Sequence, residues 1–264
     1  MDKKTGIISQ RRRGRRSRRG EKKAIRAIAT LIIVLIAAAT GLLDPDALSG
    51  RPGVETAASL PAPDLPPDAD ASFRADFLDV GQGLSVLIEA DGEFLLFDGG
   101  DRDASSYVVA ALQERGVTQL SYLVASHYDA DHLNGLVGAL HTVDVQTVLG
   151  PDYTADSKVY QSFLNAVDGQ GLTVTAPVPG TRYPLGDGYF DVLAPLSASY
   201  EDENDYSIVL RFACGDTSLL LTGDAQRESE EQMMEVWPDL ESDILCVGHH
   251  GSPSSSSGAF LDRV

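Results

Sequence analysis

From residue 73 onward, apolar positions fall into short runs of two kinds. Residues 73–79, 84–89 and 94–97 carry Phe, Leu, Ile and Val in groups broken by glycine, which predicts strands. Asp91-Gly92, between the last two, is a hairpin signal. The next segment is spaced as a helix, from a cap at Asp103 to Arg115, with Gly116 as its stop. Residues 120–125 form a continuous apolar run, the mark of a buried strand, and a polar loop leads from it to a helix over 132–140. Another helix is expected from a cap at Asp156 to Gly169. Strands return near 172–177 and 189–193, and residues 207–213 and 217–221 make a hairpin about Gly215-Asp216. A polar helix over 226–237 precedes a last strand at 243–247. Strands interspersed with helices predict an α/β fold in which two sheets are covered by helices. Patterning leaves the strand order open.

Ahead of residue 73 the pattern changes. Residues 27–43 run for 17 positions without a charge. That is the lower limit for a single membrane-spanning helix and also the length of a signal-peptide core. The long charged leader favours an uncleaved anchor, although Ala37, Ala38 and Ala39 leave cleavage open. Residues 44–72 contain Pro45, Pro52, Pro61, Pro63, Pro66 and Pro67 among Ala and Asp, and read as an extended spacer. The organisation expected is a tail at 1–26, an anchor at 27–43, a linker at 44–72 and one domain at 73–264.

Charge sharpens this division. The chain has 21 basic and 39 acidic side chains; twelve of the basic and two of the acidic ones lie within residues 1–26. The tail is therefore +10, and the remainder, with nine basic and 37 acidic residues, is −28. A polybasic segment before an apolar run stays in the cytoplasm, where it meets anionic lipid headgroups. The expectation is a single-pass protein of the cell membrane with its folded domain outside. A hydrophobic share of 43% excludes global disorder. Two cysteines, Cys214 and Cys246, exclude both a disulfide scaffold and a four-cysteine metal site.

The chemistry concentrates at strand ends. After the run 120–125 come Ser126 and then His127-Tyr128-Asp129-Ala130-Asp131-His132, four potential metal ligands in six residues. In an extended loop His127, Asp129 and Asp131 project to one side, and His132 begins the helix. Imidazole with carboxylate suits zinc, iron or manganese. Residues 220–224 are a strand ending in Asp224, and residues 245–250 are a strand ending in His249 and His250. Alone, each is more often a turn or a structural pair. Together they hold four of the five histidines; the fifth, His141, reads as a helix end.

These residues resemble a known family. SHYDADHLNG at 126–135 is similar to the metal-binding signature of the metallo-β-lactamase fold, His-x-His-x-Asp-His, with Asp129 in place of the middle histidine. FLDVGQG at 77–83, LTGD at 221–224 and GHHGS at 248–252 resemble the ComEC-type branch, which includes the hydrolase domain of DNA-uptake competence proteins. The resemblance covers about residues 73–258 and implies an αββα sandwich with two divalent metal ions, zinc or manganese, between the sheets. By position, His127 and Asp129 would bind one ion, Asp131 and His132 the other, and Asp224 both. His249 or His250 would complete the second site, with His249 preferred. Asp131, Asp224 and His250 are the residues expected to act at the reacting atoms. Asp98, in LLFDGGD, would hold a ligand imidazole by a hydrogen bond. Asp79 and Gln82 would support the site, and Asn204 and Ser207, matching an Asn-x-x-Ser of the branch, would touch substrate. The chain departs from the branch at Leu84, where an acid is usual. Members of the family also continue past GHHGS, so a chain ending at Val264 would carry a short second sheet.

The function implied is an extracytoplasmic, membrane-anchored hydrolase of phosphodiesters, with single-stranded DNA a candidate and no nucleotide cofactor. Nine basic residues among the last 238 weigh against extended binding of a nucleic-acid backbone. Hydrolysis of another envelope phosphoester, or of a lactam or lactone, is the alternative within the fold. An inactive, truncated binding module is the alternative of a different class.

Overall fold

Strands whose apolar residues face both ways need cover on both sides, and that requirement organises this protein. The computed structural model describes residues 72–264; the tail, the apolar run and the spacer up to residue 71 lie outside the described residues. Strands β1 (Phe73–Phe77), β2 (Val86–Ala90), β3 (Glu93–Phe97), β4 (Gln119–Val124), β5 (Asp144–Leu149) and β6 (Val174–Thr175) lie side by side in chain order in one sheet. β1, β2 and β3 are antiparallel neighbours, and β3 to β6 are parallel. The second sheet has the order β11-β10-β9-β8-β7. Its strands are β7 (Arg182–Leu185), β8 (Gly188–Ala194), β9 (Val209–Cys214), β10 (Thr217–Leu221) and β11 (Ile244–Cys246). They pair antiparallel except β10 with β11, which are parallel.

Period-two alternation sorts the side chains into layers. Val86, Ile88, Leu95 and Phe97 of the first sheet meet Phe190, Leu210, Phe212 and Leu219 of the second in a core between the sheets. Leu87, Leu96 and Leu123 point the opposite way, to helices α1 (Ser105–Glu114), α2 (Ala130–Leu140) and α3 (Lys158–Gly169). On the far side, Val209 and Leu220 pack with Met233 and Trp237 of helix α4 (Arg227–Val236) and its C-terminal flank, and with Phe260 of the short α5 (Gly258–Leu261). The result is the four-layered αββα sandwich expected from the sequence. Phe212 is fully buried, and its truncation to alanine costs about 3–5 kcal/mol.

Several boundaries differ from expectation for local reasons. The turn before α1 is capped by Asp101, whose carboxylate accepts from Arg102 N, and not by Asp103. Ser157, not Asp156, caps α3, its hydroxyl accepting from Tyr160 N. α2 begins at Ala130, so Asp131 stands in its first turn and Asp129 at its N-cap. Strands β5 and β7 escaped the pattern: Asp144, Gln146 and Thr147 interrupt the first, and Pro184 sits in the second, on an edge where no ladder donor is needed. Among the described residues no helix is long and apolar enough to cross a membrane. The expected span at 27–43 falls outside them. Cys214 and Cys246 are both free.

Candidate metal centre

The ends of β3, β4, β10 and β11 converge at one rim of the sandwich, and the ligand-type side chains are set there by tight backbone turns. Asp98, directly after β3, is fully buried and left-handed at φ +57°, a conformation Asp tolerates better than most residues. One carboxylate oxygen accepts from Ser126 N at 2.7 Å. The other accepts from the Ser126 hydroxyl and from His132 Nδ1, both at 2.7 Å. The Ser126 hydroxyl, having given its proton to Asp98, accepts from His127 Nδ1 at 3.0 Å. One carboxylate thus fixes two imidazoles with their Nε2 atoms turned to the site.

Glycines let the strands approach. Gly99 N donates to His132 O at 2.7 Å, and a Cβ on Gly99 would lie 2.3 Å from Leu136 N. At Gly223, φ is +52° and a Cβ would meet Ser126 at 2.7 Å; its carbonyl accepts from His249 N. The three strand-end motifs therefore cross at Gly223.

Asp224, buried, lies at the centre. Its Oδ1 is 3.3 Å from His132 Nε2. Its Oδ2 is 3.3 Å from His250 Nε2, 3.8 Å from His249 Nε2 and 4.0 Å from His127 Nε2. His250 Nε2 is also 3.3 Å from Asp131 Oδ2, and Asp129 Oδ2 is 3.7 Å from His127 Nε2. Two groups have ligand atoms mutually within 4.8 Å: His127, His132 and Asp224, and Asp131, His132 and His250. Of the two histidines left open by the sequence, His250 joins a group. His249, the one preferred on resemblance, stands at the rim with Nδ1 on Ser254 Oγ at 3.1 Å.

The donor set fits a cation. His127 Nε2 and Asp224 Oδ1 are buried and make no hydrogen bond; Asp224 Oδ1 is near His132 Nε2 but not aligned with it. Such orphaned groups are costly and rare unless something else engages them. Electrostatics agrees. Burial opposes the charged form of His132, but Asp98 and Asp224 outweigh it and push its pKa up to about 10. Asp131 and Asp224 raise His250 to about 9. Burial would lift Asp224, yet His132 and His250 hold its carboxyl far below the usual range. His127 lowers Asp129, and His250 lowers Asp131. A cluster this polarised either holds protons on its imidazoles or exchanges them for metal.

The remaining expected residues divide. Ser207 is fully buried and its hydroxyl accepts from Asp224 N at 3.1 Å, so it fixes the central carboxylate through the backbone. Asp79 and Gln82 are exposed, and neither bonds to the ligand cluster; Asp79 accepts from Gly81 N. What FLDVGQG contributes is Gly83, at φ +127°, where a Cβ would lie 2.5 Å from Asp131 O. The Asn204 side chain makes no hydrogen bond; its N–H is taken by Asp202.

Sequence reasoning missed the brace behind His249 and His250. Glu230, buried on α4, accepts from the backbone N–H groups of Ser256 and Ser257. Ser255 Oγ donates to Ala225 O, and Ser256 Oγ accepts from Gly248 N. The serine run 254–257 is bonded throughout because its hydroxyls replace the ladder partners that an irregular turn lacks. Asp205 is another buried carboxylate; it accepts from Gln226 N and Ser229 N at the start of α4. Both acids lie in polar runs, where nothing marks one acid as buried.

A fold of two sheets with histidines and carboxylates at one rim defines a class, and comparison with known proteins agrees. Residues 78–264 match the family model of the metallo-beta-lactamase superfamily, and the chain belongs to that family of metal-dependent hydrolases. It is 33% identical over 241 residues to competence protein ComA of Neisseria gonorrhoeae, covering 89% of this chain and 32% of that protein. It is 28% identical over 216 residues to ComE operon protein 3 of Bacillus subtilis, covering 75% and 28%. Recombination protein 2 of Haemophilus influenzae is 30% identical over 198 residues, covering 73% and 23%. The chain thus spans a third or less of the length of these relatives.

Proposed function

We infer that this protein is a dinuclear metal hydrolase of phosphodiesters, anchored in the cell membrane through residues 27–43 with its catalytic domain outside the cytoplasm. The observation that carries the reading is the position of Asp224, with one oxygen toward His132 and the other toward His127 and His250. His132 offers the cluster a single nitrogen, since Nδ1 is held by Asp98, and that Nε2 lies 3.4 Å from His250 Nε2. Asp224 is the carboxylate that faces both groups, with Oδ2 toward His127 and His250 and Oδ1 toward His132. His127 and Asp129 with Asp224 would hold one ion, and Asp131, His132 and His250 with Asp224 the other, zinc or manganese in each case.

When bound, such a pair supplies Lewis acidity and a water that ionises near neutral pH. The chain does the rest. Asp98 and Ser126 keep the His127 and His132 rings oriented and their Nε2 lone pairs available. Asp131, partly exposed at the mouth and 3.3 Å from His250 Nε2, would help hold the ion on that side and keep His250 turned toward it. His249, steadied by Ser254, orients a phosphoryl oxygen. Among the described residues no Lys or Arg bonds to the cluster, so a phosphate entering here depends on the metal for its counter-charge. The competence relatives support a nucleic-acid substrate, and the basic tail supports contact with anionic lipid headgroups.

The test is metal content together with turnover of bis-p-nitrophenyl phosphate by the purified full chain. Two ions per chain and metal-dependent turnover, both lost in Asp224→Ala, are expected. An unloaded, inert protein would instead support a binding module, and turnover of nitrocefin but not of the diester would support a lactamase.

A further inference from the structure

Residues 126–129 lie past the end of β4, and side chains take the place of a strand ladder there. Ser126 N is met by Asp98, and Tyr128 N donates to the Tyr153 hydroxyl at 2.8 Å. Tyr128 stands between His127 and Asp129. Its ring is buried in the core beneath the first sheet, where it packs on Tyr160 and Phe163 of α3. The peptide joining His127 to Tyr128 is therefore pinned between that core and the Tyr153 oxygen. Tyr153 is itself fixed. Its N–H donates to Pro151 O at 3.0 Å, which also accepts from the Tyr128 hydroxyl at 2.8 Å. Its carbonyl accepts from the Tyr160 hydroxyl at 3.4 Å. The centroid of its ring lies 4.8 Å from that of Tyr128 and 4.7 Å from that of Tyr206. Tyr206 closes the turn 203–206, and its hydroxyl accepts from Tyr200 N at 3.1 Å. Ser207, directly after it, is the residue that holds Asp224 N.

One side chain thus touches the His127–Asp129 loop with its oxygen and the segment before Ser207 with its ring. The two contacts differ in kind. Ring packing tolerates any residue of the same shape. The hydrogen bond is directional, and among the described residues Tyr128 N has no other acceptor. Without it a buried N–H is left unpaired. Turning the peptide toward water relieves that cost, and the turn swings His127 and Asp129 together. Asp129 has little else to hold it. Its carboxylate is half-exposed, and its one ion-pair partner among the described residues is His127, at 3.7 Å. We propose that Tyr153 is a positioning residue of the metal centre: its hydroxyl fixes the peptide between His127 and Tyr128 and so sets how tightly His127 and Asp129 bind their ion. This role rests on the dinuclear reading and adds to it a residue outside the ligand motifs.

The test is a zinc titration of the full chain against a competing chelator, followed by the ring NMR signals of His127 and His250, which report the two ions separately. Tyr153→Phe keeps the ring and removes the oxygen. It should weaken the ion at His127 by about tenfold, the lower end for a partner behind a ligand, and leave the ion at His250 within about twofold. In the metal-free protein the same change should speed hydrogen exchange of the Tyr128 amide by about tenfold or more. That readout needs neither metal nor turnover. A side chain that only packs predicts otherwise: Tyr153→Phe would match the wild type in both affinities and in Tyr128 exchange. Two ions in the wild type, neither weakened by Tyr153→Phe, overturn the role of Tyr153 alone. So does unaltered Tyr128 exchange, and so does equal weakening of both ions, which marks a general loosening. A single ion that Tyr153→Phe weakens overturns the dinuclear reading alone. A single ion that it leaves unchanged, or no ion, overturns both.

Discussion

The two halves of the metal centre are built in opposite ways. The inner half, Asp98, Ser126, His127 and His132, is fully buried at the ends of β3 and β4 and the start of α2. Its rings are locked by one carboxylate with bonds of 2.7 Å. The outer half, His249 and His250, is partly exposed on an irregular turn after β11, with both histidines at positive φ. It is held from outside by serine hydroxyls and by Glu230. The inner half is set when the first sheet folds. The outer half depends on an irregular, partly exposed turn held by side-chain bonds and not by a strand ladder, so cation binding should stiffen it most. Order should therefore be lost from the outside in.

The largest effect should come where the halves meet. Asp224→Ala removes the group facing both, and both ions and all diester turnover should be lost; retention of one tightly bound ion would show that the halves are independent. Next is Asp98→Ala. It should weaken metal binding and activity by about 10–100-fold and destabilise the metal-free fold by about 3 kcal/mol, since Ser126 and His132 lose a buried partner. Denaturant titration and metal titration together check this. Glu230→Ala should act on the outer half only, costing about 2 kcal/mol and lowering stoichiometry toward one ion per chain. Equal loss of both ions would erase the distinction between the halves.

A smaller, graded effect is expected with pH. The pKa values of His132 and His250 stand above 6.5, at about 10 and about 9. The stabilisation this represents is complete below pH 6.5 and is lost as pH rises through 9 and 10. The lowered carboxyls of Asp129, Asp131 and Asp224 work in the other direction, and their contribution is lost as pH falls below about 3.8. The metal-free protein should therefore melt at progressively lower temperature from pH 7 to 10. Metal affinity should climb over the same interval as protons cease to compete. Scanning calorimetry with and without zinc checks both signs. The smallest effect belongs to Ser254→Ala, which frees His249 and should cost no more than about 1 kcal/mol, with KM for the diester rising and metal content unchanged.

The same contrast explains what could be read from sequence. The buried apolar runs and the strand-end His and Asp gave the layers and the cluster, because alternation and strand termini leave a local record. β5 and β7 left none: polar residues break one run, and the other is an edge strand carrying Pro184. Asp98 was visible as a partner for a ligand imidazole only through its motif. Nothing local marked Ser126, which completes that link. Glu230 and the 254–257 serines act across some 25 residues of sequence, through backbone N–H groups that carry no signature. The choice between His249 and His250 turned on the path of this turn, which brings His250 Nε2 to Asp131 and Asp224 and leaves His249 on Ser254, a property of the turn and not of the residue types.

The most direct test is anomalous diffraction from crystals grown with manganese or zinc. Two peaks about 3.5–4 Å apart, both bonded to Asp224, with His127 on one and His132 and His250 on the other, are predicted. A single peak, or a pair that leaves Asp224 uncoordinated, would contradict a dinuclear centre.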